Sequence, residues 1–294
     1  MEKTQQLTPI VFGASGLLGG HLFQHFSKQD PNTLGTYGKH PATGLQHFDL
    51  ETSSLDDLQL DHNLNYVAII CASLTNIAQI NAAPEKTANI NVHATIRLIK
   101  SLFDQKIPIV FISTDNVFPG TQGNYCDRNH DAAVSEYGIQ KRKVESQLMS
   151  ITDSAACVLR LAKIIGNKPN DGTLLNDIAN QLTSGETVRA ASDLIFNPTA
   201  IEDIVKAVDF IVKQRAQGTY NFCNPQPYSR LELTYLMAKA LDKNANKIEP
   251  ILFSELDPSG KRPLNTSMIN STLFADFNFK SIAACIEEQV VWQR

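Results

Sequence analysis

The chain is poor in the features that mark most specialised protein classes. Cysteine is sparse: Cys71, Cys126, Cys157, Cys223 and Cys285 are five in 294 residues. They are widely spaced, odd in number and form no Cys-x-x-Cys pair, which argues against a disulfide framework and a structural zinc and fits a reducing cytoplasm. No apolar run is long enough to span a bilayer. The polar start, Met1-Glu2-Lys3-Thr4-Gln5-Gln6, lacks the apolar stretch and cleavage site of a secretory signal. Neither sign of charge dominates, the formal net charge being -4, so nothing draws the chain to nucleic acid or to anionic membranes. His21 and His25 are spaced for a shared metal on a helix but have no third ligand or general-base Glu, so no metal is expected. There is no internal repeat and no low-complexity segment. What remains is a chain 43% hydrophobic, enough for a sizeable core, with a small molecule as its expected partner.

Apolar runs alternate with helical patterns over the first half. Pro9-Ile10-Val11-Phe12 reads as a strand, followed by glycines and a helix-like series Leu18, Leu22, Phe23, Phe26. Further strands are expected at Thr33–Tyr37, Tyr66–Ile70, Ile107–Ile112 and Ala156–Leu161, with a helix over Ala88–Phe103. This order predicts an α/β fold, a doubly wound parallel Rossmann sheet with a smaller, interleaved C-terminal substrate lobe. The expected division is 1–165 for the Rossmann domain, rejoined by about 200–224 through a helix at Ile201–Val212 and a strand at Gly218–Phe222, and 166–294 for the lobe. Residues 167–199 carry loop signals around one helical stretch, and Trp292 is expected to pack down the last segment. In such sheets ligands sit beyond the carboxyl ends of the strands, which makes the residues after each apolar run the site candidates.

Gly13-Ala14-Ser15-Gly16-Leu17-Leu18-Gly19 directly follows a strand and opens a helix. Unpaired N–H groups and the helix dipole favour a pyrophosphate there. Gly13 permits the sharp turn, Gly16 lets backbone approach the phosphates, and Gly19 allows close helix–strand packing. After the second strand an NAD enzyme would carry an acid for the ribose 2′-OH, whereas this chain has Gly38-Lys39-His40. Lys39 and His40 favour NADP(H), with NAD(H) possible if they only decorate a solvated loop. Asp49 is a candidate for the adenine edge, or equally a helix cap.

Tyr137 and Lys141, four residues apart on a helical pattern, share a face. A free phenol titrates near ~10, and a neighbouring ammonium favours its ionised form, so such a Tyr works as acid or base nearer neutrality. Taken alone, the pair would read as a tyrosine beside the basic face Lys141, Arg142, Lys143. Ser113-Thr114-Asp115 shifts the balance, because it places a hydroxyl at the end of the Ile107–Ile112 run, where Thr114 could orient a carbonyl oxygen. The other reading is that Thr114 only ends a strand and Asp115 caps a turn. Tyr125 to Asp131 forms a polar run read as a solvated loop rather than a lid.

With the glycine turn, Ser113-Thr114-Asp115-Asn116-Val117-Phe118-Pro119-Gly120 and Tyr137-x-x-x-Lys141 in that order, the chain resembles the extended short-chain dehydrogenases/reductases. It is most similar to their dTDP-4-dehydrorhamnose reductase branch. Glu145, Asn91, Pro198-Thr199 and Arg262-Pro263-Leu264-Asn265 match further motifs, so the resemblance runs over nearly the whole chain. It implies Thr114, Tyr137 and Lys141 as the catalytic trio. It also implies a cofactor passing Gly13, Ser15, Gly16, Leu17 and Leu18, then Asp49-Leu50 and Cys71-Ala72-Ser73; by its own chemistry Lys141 could also hydrogen-bond the nicotinamide ribose. A homodimer through the helix of Tyr137 and its neighbour is implied on the same ground.

The departures fall where substrate is chosen. Asn116 stands where the branch usually has an aromatic, Ala78 and Asn81 where it has an Asp and a Glu, and Leu161-Ala162-Lys163-Ile164-Ile165 lacks a tryptophan. Lys163 and Arg262 are candidates to meet a pyrophosphate or carboxylate. The expectation is therefore an NADP(H)-dependent, cytoplasmic reductase of a keto group on a nucleotide-activated sugar, with the sugar possibly other than rhamnose. An epimerase or dehydratase with tightly held cofactor is one alternative. Another is a non-catalytic cofactor-binding regulatory subunit, as in the related β subunit of methionine adenosyltransferase.

Overall fold

The computed structural model describes residues 6–293. The first half follows the expected alternation, with β1 (Thr8–Phe12), α1 (Leu17–Gln29), β2 (Leu34–Tyr37), β3 (Gln46–His47) and β4 (Tyr66–Ile70). Next come α2 (Ile77–Ala82), α3 (Pro84–Ala88), a π-helical turn (Asn89–Ala94) and α4 (Thr95–Asp104). They lead to β5 (Ile109–Thr114), α5 (Glu136–Ile151) and β6 (Cys157–Leu161). The remainder comprises β7 (Ile164–Ile165), α6 (Leu174–Ser184), β8 (Val188–Ala191), β9 (Ile195–Phe196), β10 (Thr199–Ala200) and α7 (Ile201–Gln214). It closes with β11 (Gly218–Phe222), β12 (Tyr228–Ser229), α8 (Arg230–Ala240), β13 (Ile248–Ile251) and α9 (Ile282–Trp292).

Seven strands form one parallel sheet in the order β11-β6-β5-β4-β1-β2-β3. The order reverses at β1, which pairs in parallel with β2 on one side and β4 on the other. That reversal is the switch point at which open α/β sheets leave a crevice beyond the strand ends. Every residue of β1 and β4 is buried, as a strand covered on both faces must be. α1 buries Leu18, Gly19, Leu22 and Phe26, the stripe that a 3.6-residue period predicts.

In the first half two elements depart most from the sequence expectation. β5 begins at Ile109 rather than Ile107 and runs to Thr114. Pro108 cannot donate to a ladder and enters only through its carbonyl, which accepts the Ala68 N–H at 2.8 Å. Ser113 and Thr114 are thus the last two strand residues rather than the first beyond it. The helix expected over 88–103 starts instead at Pro84, a favoured first helical residue, and widens into the π turn before α4.

The chain divides into two compact units. The first comprises Met1–Thr114, Glu136–Arg160 and Val205–Tyr220. Its core includes Ile10, Phe12, Ala68, Ile70, Phe111, Val144 and Leu148, all nearly inaccessible. The second comprises Asp115–Ser135, Leu161–Ile204 and Asn221–Arg294. There, β8 and β13 pair in parallel, and Leu175, Ile178, Leu233, Met237 and Ile286 form a core of their own. α8 opens with a capping box in which Ser229 and Glu232 satisfy each other's backbone N–H groups. Trp292 is half-buried at the end of α9, whose buried face is Ile282, Cys285, Ile286 and Gln289. Among the described residues, no helix is long and apolar enough to cross a membrane.

The junction of β1 and α1 depends on two glycines. Gly13 has φ +85°, a conformation that L side chains rarely adopt, and a β-carbon there would meet the Ala72 backbone nitrogen at 2.7 Å. A β-carbon at Gly19 would fall 2.2 Å from the Gly13 carbonyl oxygen. Gly19→Ala is therefore expected to lower unfolding stability by about 1–3 kcal/mol through overpacking. Urea denaturation measures it, and an unchanged midpoint would show that the turn yields without cost.

Candidate active site

The glycine turn ends in a helix start that no side chain occupies. Gly16 is the N-cap of α1, no side chain caps it, and the first turn holds no acidic residue. Ser15, Gly16 and Leu17 are exposed there, while Leu18 is buried beneath them. Backbone N–H groups at a helix N-terminus without a competing carboxylate suit an anion. The segment after β4 lies alongside, since the Cys71 N–H donates to the Phe12 carbonyl at 3.0 Å and Ala72 crowds Gly13. The residues present thus fit a dinucleotide: a helix start at which no side chain competes for an anion, bounded by the backbone of the strap after β4.

The other expected cofactor residues are less committed. Lys39 and His40 are exposed just beyond β2. Asp49 is half-buried, and one carboxylate oxygen accepts the Glu51 N–H at 2.8 Å while its own N–H donates to Ser53 Oγ at 3.0 Å. That carboxylate therefore already shapes a local turn. The Leu50 carbonyl accepts from Arg97 at 2.6 Å, which anchors this loop to α4.

α5 starts at Glu136, so Tyr137 and Lys141 lie one turn apart near its beginning. Tyr137 is half-buried and Lys141 is buried. The Lys141 ammonium donates to the Ile112 carbonyl at 2.9 Å and stands 4.6 Å from the Phe111 ring centre and 6.0 Å from that of Tyr137. Burial pushes its pKa down to about 8, opposed by the negative charge of Cys71 when ionised and of Glu145. Burial likewise raises the Cys71 thiol to about 12, with Lys141 pulling the other way. At neutral pH that thiol keeps its proton, which leaves Glu145 as the carboxylate supporting the ammonium. Thr114, the last residue of β5, is also buried.

Glu145 is the hub between α5 and the sheet. Its carboxylate accepts from Ser113 Oγ at 2.5 Å, from Arg160 Nη2 at 2.8 Å and Nε at 3.1 Å, and from Arg142 at 3.3 Å. A buried carboxylate is costly unless its lone pairs are satisfied this way. The sequence reading reached Glu145 only through resemblance and did not join it to Ser113 and Arg160. The available signal was an arginine inside the otherwise apolar run Ala156–Leu161.

The expected substrate residues all belong to the second unit. Asn116 Nδ2 donates to Asp115 at 2.8 Å, and the other Asp115 oxygen accepts from Thr266 at 2.7 Å. The Lys163 side chain is accessible, yet crowding by protein lowers its pKa; Asp115 opposes that shift, and Arg230 and Arg262 add to it. Arg262 lies 5.6 Å from the Phe253 ring centre and 3.8 Å from Asp257, while Arg230 pairs with Asp177 at 2.9 Å. Within the second unit, Lys163 therefore shares one electrostatic neighbourhood with Asp115, Arg230 and Arg262.

Comparison with known proteins places these features in context. A family model described as the RmlD substrate binding domain matches residues 8–286. The probable low-salt glycan biosynthesis reductase Agl14 of Haloferax volcanii is 25% identical over 262 residues, covering 86% of this chain and 87% of its own. The methionine adenosyltransferase 2 subunit beta of Danio rerio is 24% identical, covering 90% and 83%. A dTDP-4-dehydrorhamnose reductase of Bacillus anthracis, solved in complex with NADP, shares the fold with a TM-score of 0.81 at 18% identity, covering 98% of this chain and 99% of that one.

Removing one partner of a buried ion pair strands the other charge. Arg160→Met is accordingly expected to destabilise the protein by about 3–5 kcal/mol, read from the shift in its denaturation midpoint. Retention of the wild-type midpoint would show that Arg142 and Ser113 alone satisfy Glu145.

Proposed function

Because the chain belongs to the RmlD substrate-binding domain family, we propose that it is an NAD(P)-dependent reductase of a keto group on a nucleotide-activated sugar. The observation that carries the reading is the buried Lys141 ammonium on the same face of α5 as Tyr137, held at the carboxyl end of β5 beside Thr114. The first unit is proposed to bind the cofactor and the second to recognise the sugar nucleotide. Bound nicotinamide would supply the hydride to the carbonyl carbon. The chain's own part is to hold the oxygen and deliver the proton. Thr114 Oγ hydrogen-bonds the carbonyl oxygen, Tyr137 gives its phenolic proton to that oxygen, and the Lys141 ammonium stabilises the phenolate left behind.

The pyrophosphate is assigned to the turn of Gly13, Ser15, Gly16, Leu17 and Leu18. Asp49-Leu50 and Cys71-Ala72-Ser73 are assigned to the adenosine and nicotinamide sides. NADP(H) is favoured over NAD(H), since Lys39 and His40 stand exposed beyond β2 where a 2′-phosphate would need a cation and an NAD enzyme would carry an acid. Asn116, Lys163 and Arg262 are proposed to meet the substrate, the two cations taking its anionic part. A cytoplasmic homodimer through α4 and α5 completes the reading, supported by the exposed apolar side chains Phe103 and Ile139 on those helices.

Similarity to the methionine adenosyltransferase subunit favours a second reading, a cofactor-binding subunit that regulates a partner enzyme. Incubating the purified protein with NADPH and a panel of nucleotide 4-keto sugars, with nicotinamide absorbance and products followed, separates the two. Reductase function predicts stoichiometric NADPH oxidation with at least one sugar. Tyr137→Phe should then lower turnover by roughly 10²–10⁴-fold with NADPH affinity kept. Dinucleotide binding without oxidation on any sugar supports the regulatory reading, and full turnover by the Phe variant removes Tyr137 from the mechanism.

A further inference from the structure

Immediately before Lys141 on α5 stands a buried amide that the phenol–ammonium pair does not use. Gln140 is 4% exposed, and both ends of its side chain are engaged within the first unit. Its Oε1 accepts from Asn91 Nδ2 at 2.8 Å, and its Nε2 donates to Thr87 Oγ1 at 3.0 Å and to the Pro84 carbonyl at 3.1 Å. Asn91 carries the connection onward. Its Nδ2 also donates to the Leu74 carbonyl at 3.0 Å, and its Oδ1 accepts the Leu74 N–H at 2.7 Å and Ser73 Oγ at 3.0 Å.

The helix is distorted where Asn91 leaves it. Over Asn89–Ala94 the backbone widens to a π turn, and Thr95 Oγ1 reaches back five residues to the Ile90 carbonyl at 3.1 Å. Asparagine is a poor residue for a helix interior, and single π turns recur at functional sites, where they re-aim side chains. Local preference therefore does not explain Asn91, whereas its four hydrogen bonds do.

The far end of this relay gives it a purpose. Ser73 and Leu74 close the strap that leaves β4, whose first residue bonds to Phe12 and whose second lies against Gly13. The Leu74 N–H and carbonyl, which lie beyond the end of β4, are both held by the single Asn91 amide. A line of buried amides thus runs from the residue beside Lys141 to the wall of the phosphate turn. We propose that Gln140 is a positioning residue for the dinucleotide, fixing the 71–74 strap against α5 through Asn91 so that the phosphate turn and the Lys141 ammonium keep one spacing. This rests on the reading that a dinucleotide binds at Gly13 to Leu18.

Gln140→Met keeps the length of the side chain and removes its three hydrogen bonds. Two readouts test it: amide hydrogen exchange at Leu74 without cofactor, and NADPH affinity by fluorescence titration. The expected result is faster exchange at Leu74 and affinity weaker by roughly tenfold, about one buried hydrogen bond's worth. Cofactor KM should rise while kcat at saturation is nearly kept. If the Met variant does not fold, Thr87→Val, which removes only the outer anchor, should show the same two changes at smaller amplitude. A folded variant with wild-type exchange at Leu74 and wild-type affinity overturns the inference, as does a fall in kcat with affinity intact. Wild-type protein that binds no dinucleotide overturns the functional reading and this one with it. Binding by wild type without loss in the variants overturns this inference alone.

Discussion

A primary ammonium without bulk water around it is the constraint on which the rest of the first unit turns. Lys141 is held by one carbonyl and one aromatic face, and the negative charge of Glu145 opposes the burial that pushes its pKa down to about 8. The Glu145 carboxylate is itself tolerable only because Ser113, Arg142 and Arg160 donate to it. One chain of dependence therefore ties the register of α5 to the last residues of β5 and to Arg160 in β6. Thr114 inherits its position from the same contacts, since Ile112 and Ser113 both bond to α5.

At the switch point the governing term is steric rather than electrostatic. Gly13 and Gly19 allow β1, the strap after β4 and α1 to approach more closely than any side chain permits. That approach leaves the start of α1 open with its N–H groups uncapped. Two devices therefore stand in the first unit: an uncapped helix start after β1 and, beyond the neighbouring strands, a phenol beside an ammonium. On the proposed reading the first holds the phosphates and the second serves the carbonyl.

Much of this was legible in the amino-acid order because the strands are short, apolar and separated by strong punctuation. Tyr66–Ile70 and Gly218–Phe222 appear with the expected bounds, and the glycine spacing marked the turn. The two-residue shift of β5 arose because Pro108 was counted inside the strand. The π turn left no periodic trace, since it moves a single residue relative to the helical repeat. Glu145, Ser113 and Arg160 lie up to 47 positions apart in sequence, and no local pattern assembles such a cluster. In the second unit, β7, β9, β10 and β12 are only two residues long. Their pairing is set by tertiary contact, so a loop reading of 167–199 missed β9 and the start of β10; it also missed the four-residue β8, whose partner β13 lies far along the chain.

The burial of Lys141 has a sign that can be checked. The native protein sheds this proton near pH 8, whereas the unfolded chain holds it to about 10.5. Between those values the unfolded state binds more protons, so the Lys141 contribution to stability rises with pH. Any activity that needs the native ammonium falls as pH rises through about 8, without unfolding. The direct measurement is an NMR titration of the Lys141 side chain in ¹³C-lysine-labelled protein, assigned by comparison with Lys141→Arg. A midpoint near 8 is the predicted result, and a midpoint at the ordinary lysine value of about 10.5 would contradict the account.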